Sequence, residues 1–148
     1  MKKFDGKIAI VTGAATGIGY GISKRLANDG ANLVMVDLDA NMMEQSASEI
    51  ASRTQEVEIS IGDVAEPKTA QEAVNKAINK WGKVDILVNN AGIGGANGNI
   101  WELGVEEMDR VYRTNLRGVF SFCHEVIPHM LEKDYGRIVN IASIAGKE

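Results

Sequence analysis

The residues best suited to chemistry in this chain begin with three glycines. Gly13, Gly17 and Gly19 follow directly on the apolar run Ile8-Ala-Ile-Val11, after which Ile22, Leu26 and Ala27 start a helical period. A strand, a glycine turn and a helix in that order aim several backbone N–H groups and a helix N-terminus at one point. The partial positive charge there attracts a phosphate. Gly13 permits the tight turn, Gly17 lets the backbone approach a pyrophosphate, and Gly19 lets the helix pack near the strand. The spacing is Gly-x3-Gly-x-Gly with no Gly-Lys-Ser/Thr after it, which excludes an ATP P-loop. Taken alone, it also fits a strand–helix turn that binds nothing.

Asp37 ends the second apolar run, 24 residues after Gly13. A carboxylate there can accept hydrogen bonds from both ribose hydroxyls of an adenosine and repels a 2′-phosphate, so NAD is favoured over NADP. Thr16, inside the glycine turn, supplies no positive charge for such a phosphate. The plain alternative is that Asp37 caps the next turn. Asp63-Val64 follows the third strand, where a carboxylate can accept from an exocyclic amine and Val64 can offer a backbone donor. A capping turn before Pro67 explains the pair as well. Asn89-Asn90-Ala91-Gly92 closes the fourth strand. Its asparagines can hold a loop open through backbone bonds, and small Ala91 and Gly92 admit a flat ligand, unless this is a simple turn. Asn115 sits inside a helical pattern, where asparagine competes for backbone bonds and can mark a local break whose freed carbonyl holds a water. A polar residue on a partly exposed face is the simpler account. Ser143 follows the fifth strand and can donate to a substrate carbonyl, although most such serines cap loops. His124 and His129 stand five apart, whereas metal ligands on one helix prefer three or four, so no metal site is expected. Asp85 and Glu125 read as structural.

These positions depend on alternating strands and helices. Strands are expected at Ile8–Val11, Asn32–Asp37, Val57–Ile61, Val84–Asn89 and Arg137–Ala142, each bounded by polar or glycine-rich residues. Helices are expected from Gly17 to Asp29, Ala40 to Arg53, Pro67 to Lys80 and Glu106 to Lys133, with a short one near Trp101. The long helix should carry Met108, Val111, Tyr112, Leu116, Val119, Phe120 and Cys123 toward a core, with Pro128 kinking it or marking a register change. Residues 91–99 form the most open segment, with four glycines and two asparagines. Alternation of this kind predicts an α/β parallel sheet with right-handed crossovers.

At 148 residues the chain has the length of one domain with a real core. Its 45% apolar and 24% charged content is ordinary for a globular protein, and the net charge of −4 comes with no basic stripe for nucleic acid and no polybasic segment for a membrane. Cys123 is the only cysteine, which excludes an internal disulfide framework and fits the cytoplasm. Asp5, Gly6 and Lys7 interrupt the run a signal peptide would need.

Together, Thr12-Gly-Ala-Ala-Thr-Gly-Ile-Gly19, Asp37, Asp63-Val64, Asn89-Asn-Ala-Gly92, Asn115 and Ile138-Val-Asn-Ile-Ala-Ser143 resemble the short-chain dehydrogenase/reductase family, in order and over essentially the whole chain. The resemblance implies a Rossmann-type doubly wound sheet of about five strands in the order 3-2-1-4-5, with residues 1–148 as one NAD-binding unit. It implies pyrophosphate binding by Gly13, Gly17, Ile18 and Gly19, NAD selection by Asp37 and adenine contact by Asp63 and Val64. Asn90, Ala91 and Gly92 would stand beside the cofactor ribose. Asn115 would hold a proton-relay water through its carbonyl, and Ser143 would orient the substrate carbonyl. It further implies hydride exchange with a small alcohol or ketone of the sugar, polyol or 3-oxoacyl type, and a homo-oligomer, dimer or tetramer, for the full-length enzyme. The family's Tyr-x3-Lys pair follows strand five and is absent from these residues; Tyr20-x3-Lys24 has the spacing on the phosphate-binding helix. The chain is therefore expected to be the N-terminal part of a longer enzyme, inactive alone, with strand five left as an exposed edge at Ile138, Val139 and Ile141. The alternative is a non-catalytic NAD-binding or oligomerising fragment.

Overall fold

The computed structural model describes residues 2–51 and 56–144. Five strands, β1 (Ile8–Thr12), β2 (Asn32–Asp37), β3 (Val57–Ile61), β4 (Ile86–Asn89) and β5 (Arg137–Asn140), form one parallel sheet in the order β3-β2-β1-β4-β5. Helices α1 (Gly17–Asn28), α2 (Ala40–Ala51), α3 (Pro67–Trp81) and α5 (Gly118–Glu132) cover the two faces, while α4 (Val105–Tyr112) buries no residue. The expected end of the second helix, at Ser52 and Arg53, lies outside the described residues.

Alternation along the strands divides the core into two layers. On one face Ile8, Ile10, Val34, Val36 and Leu87 pack with Ala70, Ala73, Val74 and Ala77 of α3 and with Phe122, Val126 and Met130 of α5. On the other, Ala9, Val11, Leu33, Met35 and Val88 meet Leu26 and Ala27 of α1 and Met43, Ala47 and Ile50 of α2. All five residues of β1 are buried, which is why that strand reads as apolar on both sides. Gly82 closes α3 in the left-handed region at φ 72°. Asp85 confirms its structural reading. Its carboxylate accepts from the Ile8 N–H at 2.9 Å and pairs with Lys83 at 2.9 Å and Lys7 at 3.3 Å. Burial alone would raise its pKa, but these partners outweigh burial and hold it below the ordinary value.

Four expectations need correction. The segment at Trp101 is a turn, closed by the Glu102 N–H donating to the Asn99 carbonyl, and Trp101 is exposed. The long helix breaks into α4, a π-helical turn at Arg113–Arg117, and α5, so the register change falls around Asn115 rather than at Pro128. α5 runs through Pro128, an exposed residue, where water can reach the carbonyl that proline leaves unpaired. Third, Met108, Tyr112, Leu116 and Phe120 are 67, 50, 57 and 67% exposed and do not enter the core. The core-facing row is Gly118, Phe122, Val126 and Met130, with Val111, Val119 and Cys123 half-buried. Both rows repeat every four residues, and periodicity alone could not say which one meets the sheet. Finally, β5 ends at Asn140. It forms one edge of the sheet, with Val139 and Ile141 substantially exposed, while Ile138 packs against the core. Among the described residues, no helix is long and apolar enough to cross a membrane.

Candidate cofactor cleft

The C-terminal ends of β1 to β4 open into a cleft of about 620 Å³. The topology makes it: strand order reverses at β1, so the loops after β1 and β4 diverge to opposite faces and leave a crevice between them. Gly13, Thr16, Gly17 and Ile18 line it from the glycine turn, and Asp37 from the tip of β2. Asp63 and Val64 line it from beyond β3, and Asn90, Ala91 and Gly92 from beyond β4. Gly19 alone of the expected cofactor residues is not a lining residue. It is buried beneath the turn, against the Gly13 carbonyl and Asn90 Nδ2.

The turn is rigidly tied. Gly13 and Gly17 take φ of 63° and 56°, a region open to glycine at little cost. The Ala15 N–H donates to Asp37 Oδ2 at 3.0 Å, which fastens the turn to β2. Asp37 Oδ1 accepts from the Leu38 and Asp39 N–H groups at 2.7 and 3.2 Å, so this residue also caps its own turn. A carboxylate has about four acceptor positions, so three bonds leave room for a ligand hydroxyl. Asn90 Nδ2 donates to the Thr12 and Gly13 carbonyls at 3.0 and 3.2 Å, binding the loop after β4 to the turn after β1. Thr12 does the same from the other side, its hydroxyl accepting from the Asn90 and Ala91 N–H groups at 3.0 Å each. Thr16 is the N-cap of α1 but makes no side-chain cap bond, and no acid stands in the first turn. The first N–H groups of α1 are thus available to an anion at the cleft.

Asp63 makes the local turn of its plainer reading and also stands at the cleft. Its Oδ1 accepts from the Ala65 N–H at 2.8 Å in a local turn, and the residue lines the cleft. Asn115 lies in the π turn, and its amide grips Ile93 at both ends. Oδ1 accepts from the Ile93 N–H at 2.8 Å and Nδ2 donates to the Ile93 carbonyl at 2.9 Å. The expected local break is there, with the side chain spent on the loop. Asn115 and Ser143 are not among the lining residues; Ser143 lies three residues past β5 and is exposed. Asn89 Nδ2 donates to Asn140 Oδ1 at 2.9 Å and so links β4 to the strand that leads to Ser143.

Sequence reasoning missed Leu38, Gly62, Ile93, Arg110 and Thr114, all of which line the cleft. Leu38 adjoins Asp37 and could have been found as the next residue of the strand tip. Arg110 and Thr114 share one face of a helix, but only the fold brings that face to the cleft. Among the described residues, no group of three His, Cys, Asp or Glu side chains could hold a metal ion. Tyr20 and Lys24 are tied to each other and Lys24 to Glu49 at 2.9 Å, joining α1 to α2.

A family model described as short chain dehydrogenase matches residues 7–148. The chain is 40% identical over 146 residues to 2-dehydro-3-deoxy-L-rhamnonate dehydrogenase (NAD(+)) of Sphingomonas sp. (strain SKA58), covering 99% of this chain and 57% of that protein. It is 36% identical over 143 residues to diacetyl reductase, (S)-acetoin forming, of Staphylococcus epidermidis, covering 96% and 55%. Among solved structures, NAD+-bound xylitol dehydrogenase superposes with a TM-score of 0.94 at 33% identity, over 99% of this chain and 56% of that one. The chain spans a little over half the length of the relatives it matches.

Proposed function

Since the chain belongs to the short-chain dehydrogenase/reductase family, we propose that residues 1–148 are one NAD-binding unit of an oxidoreductase acting on a secondary alcohol or ketone. The observation that carries this reading is the cleft itself. An uncapped helix N-terminus and a glycine turn stand on one side of it and the Asp37 carboxylate on another. The residues fit a dinucleotide. A Cβ at Gly17 would meet nothing within 4 Å, so the backbone there is open to a pyrophosphate, while Gly13 and Gly19 are enclosed.

The bound nicotinamide would supply a hydride acceptor or donor at C4. Gly13, Thr16, Gly17 and Ile18 would hold the pyrophosphate end, with Gly19 packed beneath them, and Asp37 would hold the adenosine ribose. Asp63 and Val64 would meet the adenine, and Asn90, Ala91 and Gly92 the second ribose. Ser143 would orient the substrate oxygen, and the Asn115 carbonyl, in the π turn, would hold a relay water. Names of relatives support a small hydroxy or keto compound as substrate and NAD as cofactor. Residues 1–148 hold no Tyr-x3-Lys pair but Tyr20 and Lys24. Those two are engaged with Glu49 at the α1–α2 surface, which favours binding without turnover by these residues alone. Calorimetry of the 148-residue protein should show saturable heat with NADH, with no ketone-dependent oxidation. No heat at millimolar NADH would defeat the reading; turnover would defeat the view that these residues only bind.

We propose further that the protein is a homo-oligomer built on the exposed stripe Met108, Tyr112, Leu116, Phe120 and Leu131, a row too long and apolar to face water alone. Sedimentation should show a dimer or larger species, and Leu116→Glu with Phe120→Glu should yield a folded monomer. A monomeric parent protein would refute this.

A further inference from the structure

The loop between β4 and α4 has two parts. Its inner stretch, residues 90–93, forms one wall of the cleft; its outer stretch, residues 94–99, does not line it. With four glycines in 91–99 and no regular structure, this loop has little intrinsic preference for one path. The outer stretch is nevertheless fixed by two side chains of α4. Glu107 Oε1 accepts from the Ala96 N–H at 2.6 Å, and Arg110 Nη2 donates to the Gly94 carbonyl at 3.3 Å. The two are locked to each other in a two-point pair, Nη2 to Oε1 at 2.7 Å and Nε to Oε2 at 3.0 Å. Glu107 stands third in α4, where a glutamate ordinarily reaches back to the N-cap residue. Here the N-cap is Gly104, and the carboxylate turns to the loop instead. Arg110 also lines the cleft, so the pair joins the loop and the wall directly.

We propose that Glu107 and Arg110 are positioning residues for the cofactor. They hold Gly94 and Ala96 while Asn115 holds Ile93, and so fix the wall formed by Asn90 to Ile93 before a ligand arrives. This rests on the cleft being the NAD site. Pre-ordering the loop removes a cost that cofactor binding would otherwise have to meet. The pair stays charged well into acid, because Arg110 and then the Ala96 N–H hold the Glu107 carboxyl at about 2, against an ordinary 4.5.

The test uses the 148-residue protein, with NADH titrated by calorimetry and amide hydrogen exchange read at Ala96 in the free chain. Glu107→Ala should weaken NADH about tenfold and speed Ala96 exchange by a similar factor. Glu107→Gln keeps an acceptor for the Ala96 N–H and should recover most of both. Glu106→Ala, its exposed neighbour, should stay within about twofold of the parent in both readouts. Unchanged Ala96 exchange in Glu107→Ala overturns the proposal, as does NADH affinity within twofold of the parent. Should the parent itself bind no NADH, the cofactor reading falls. The loop-holding role is then judged on Ala96 exchange alone.

Discussion

Gly19→Ala is expected to abolish measurable NADH binding, a loss of about 100-fold or more, equivalent to roughly 2.7 kcal/mol. A Cβ at Gly19 would fall inside van der Waals distance of the Gly13 carbonyl and lie 2.5 Å from Asn90 Nδ2. The Gly13 carbonyl is main chain, so no rotamer change relieves the clash. Either α1 moves away from β1 or the glycine turn opens. Both misplace the N–H groups that face the cleft, and both break the Asn90 bridge to Thr12 and Gly13. Overpacking of this kind costs about 1–3 kcal/mol, so the thermal midpoint should fall by roughly 3–10 °C with the chain still folded. Gly21→Ala is the control. It lies in the same helix, its Cβ would meet nothing within 4 Å, and exchanging glycine for alanine there should stabilise by up to about 1 kcal/mol. Calorimetry and thermal melts on the two variants separate a helix effect from a turn effect. Parent-like NADH affinity in Gly19→Ala would mean the turn does not build the site.

The fold was legible because its sheet is parallel and its central strands are buried on both faces. Runs such as Ile8–Val11 and Leu33–Val36 have no polar face to confuse with a helix stripe, and Gly30 and Gly82 punctuate the helices that follow. The turn residues were legible for a related reason: Gly13, Gly17, Asp37 and Asn90 lie at strand tips, and strand tips of a parallel sheet share one end. Legibility failed where position depends on helix register. A π turn inserts a residue into the helical repeat, and nothing local marks it beyond Asn115, whose effect on the helix is felt through Ile93. Pro128, the louder local signal, turned out to sit on the solvent side where it does little. For the same reason periodicity places the apolar row Met108, Tyr112, Leu116 and Phe120 in the core, whereas the sheet is met by the row of Phe122 and Val126. Arg110 and Glu107 left no mark in the sequence, since an Arg three residues after a Glu is the common pattern of an exposed helix face.

Asp37 bears two separable duties, and a pair of substitutions should divide them. Its negative charge is the feature expected to discriminate against a 2′-phosphate, while its oxygens bond the Ala15, Leu38 and Asp39 N–H groups. Asp37→Asn removes the charge and keeps one of the two acceptor oxygens, which can stay on the buried Ala15 N–H at the expense of the Leu38 and Asp39 bonds. Two like charges about 5 Å apart at an effective dielectric of about 40 repel by roughly 1.7 kcal/mol, so NADPH affinity should rise about 10- to 20-fold. NADH affinity should fall several-fold as a charge-assisted bond becomes a neutral one. Neither Thr16 nor Leu38 beside it carries a positive charge, so NADPH should not reach the affinity the parent has for NADH. Asp37→Ala removes the acceptor as well. Ala15 is buried, and leaving its N–H without a partner costs about 1–3 kcal/mol. This variant should therefore melt earlier than Asp37→Asn and lose more NADH affinity, because the turn slackens with it. Salt offers an independent check: screening weakens repulsion, so NADPH binding by the parent should improve with ionic strength and that of Asp37→Asn should not. If Asp37→Asn leaves the NADH-to-NADPH ratio where it was, the carboxylate serves only to brace the turn, and cofactor choice must be sought elsewhere along the cleft.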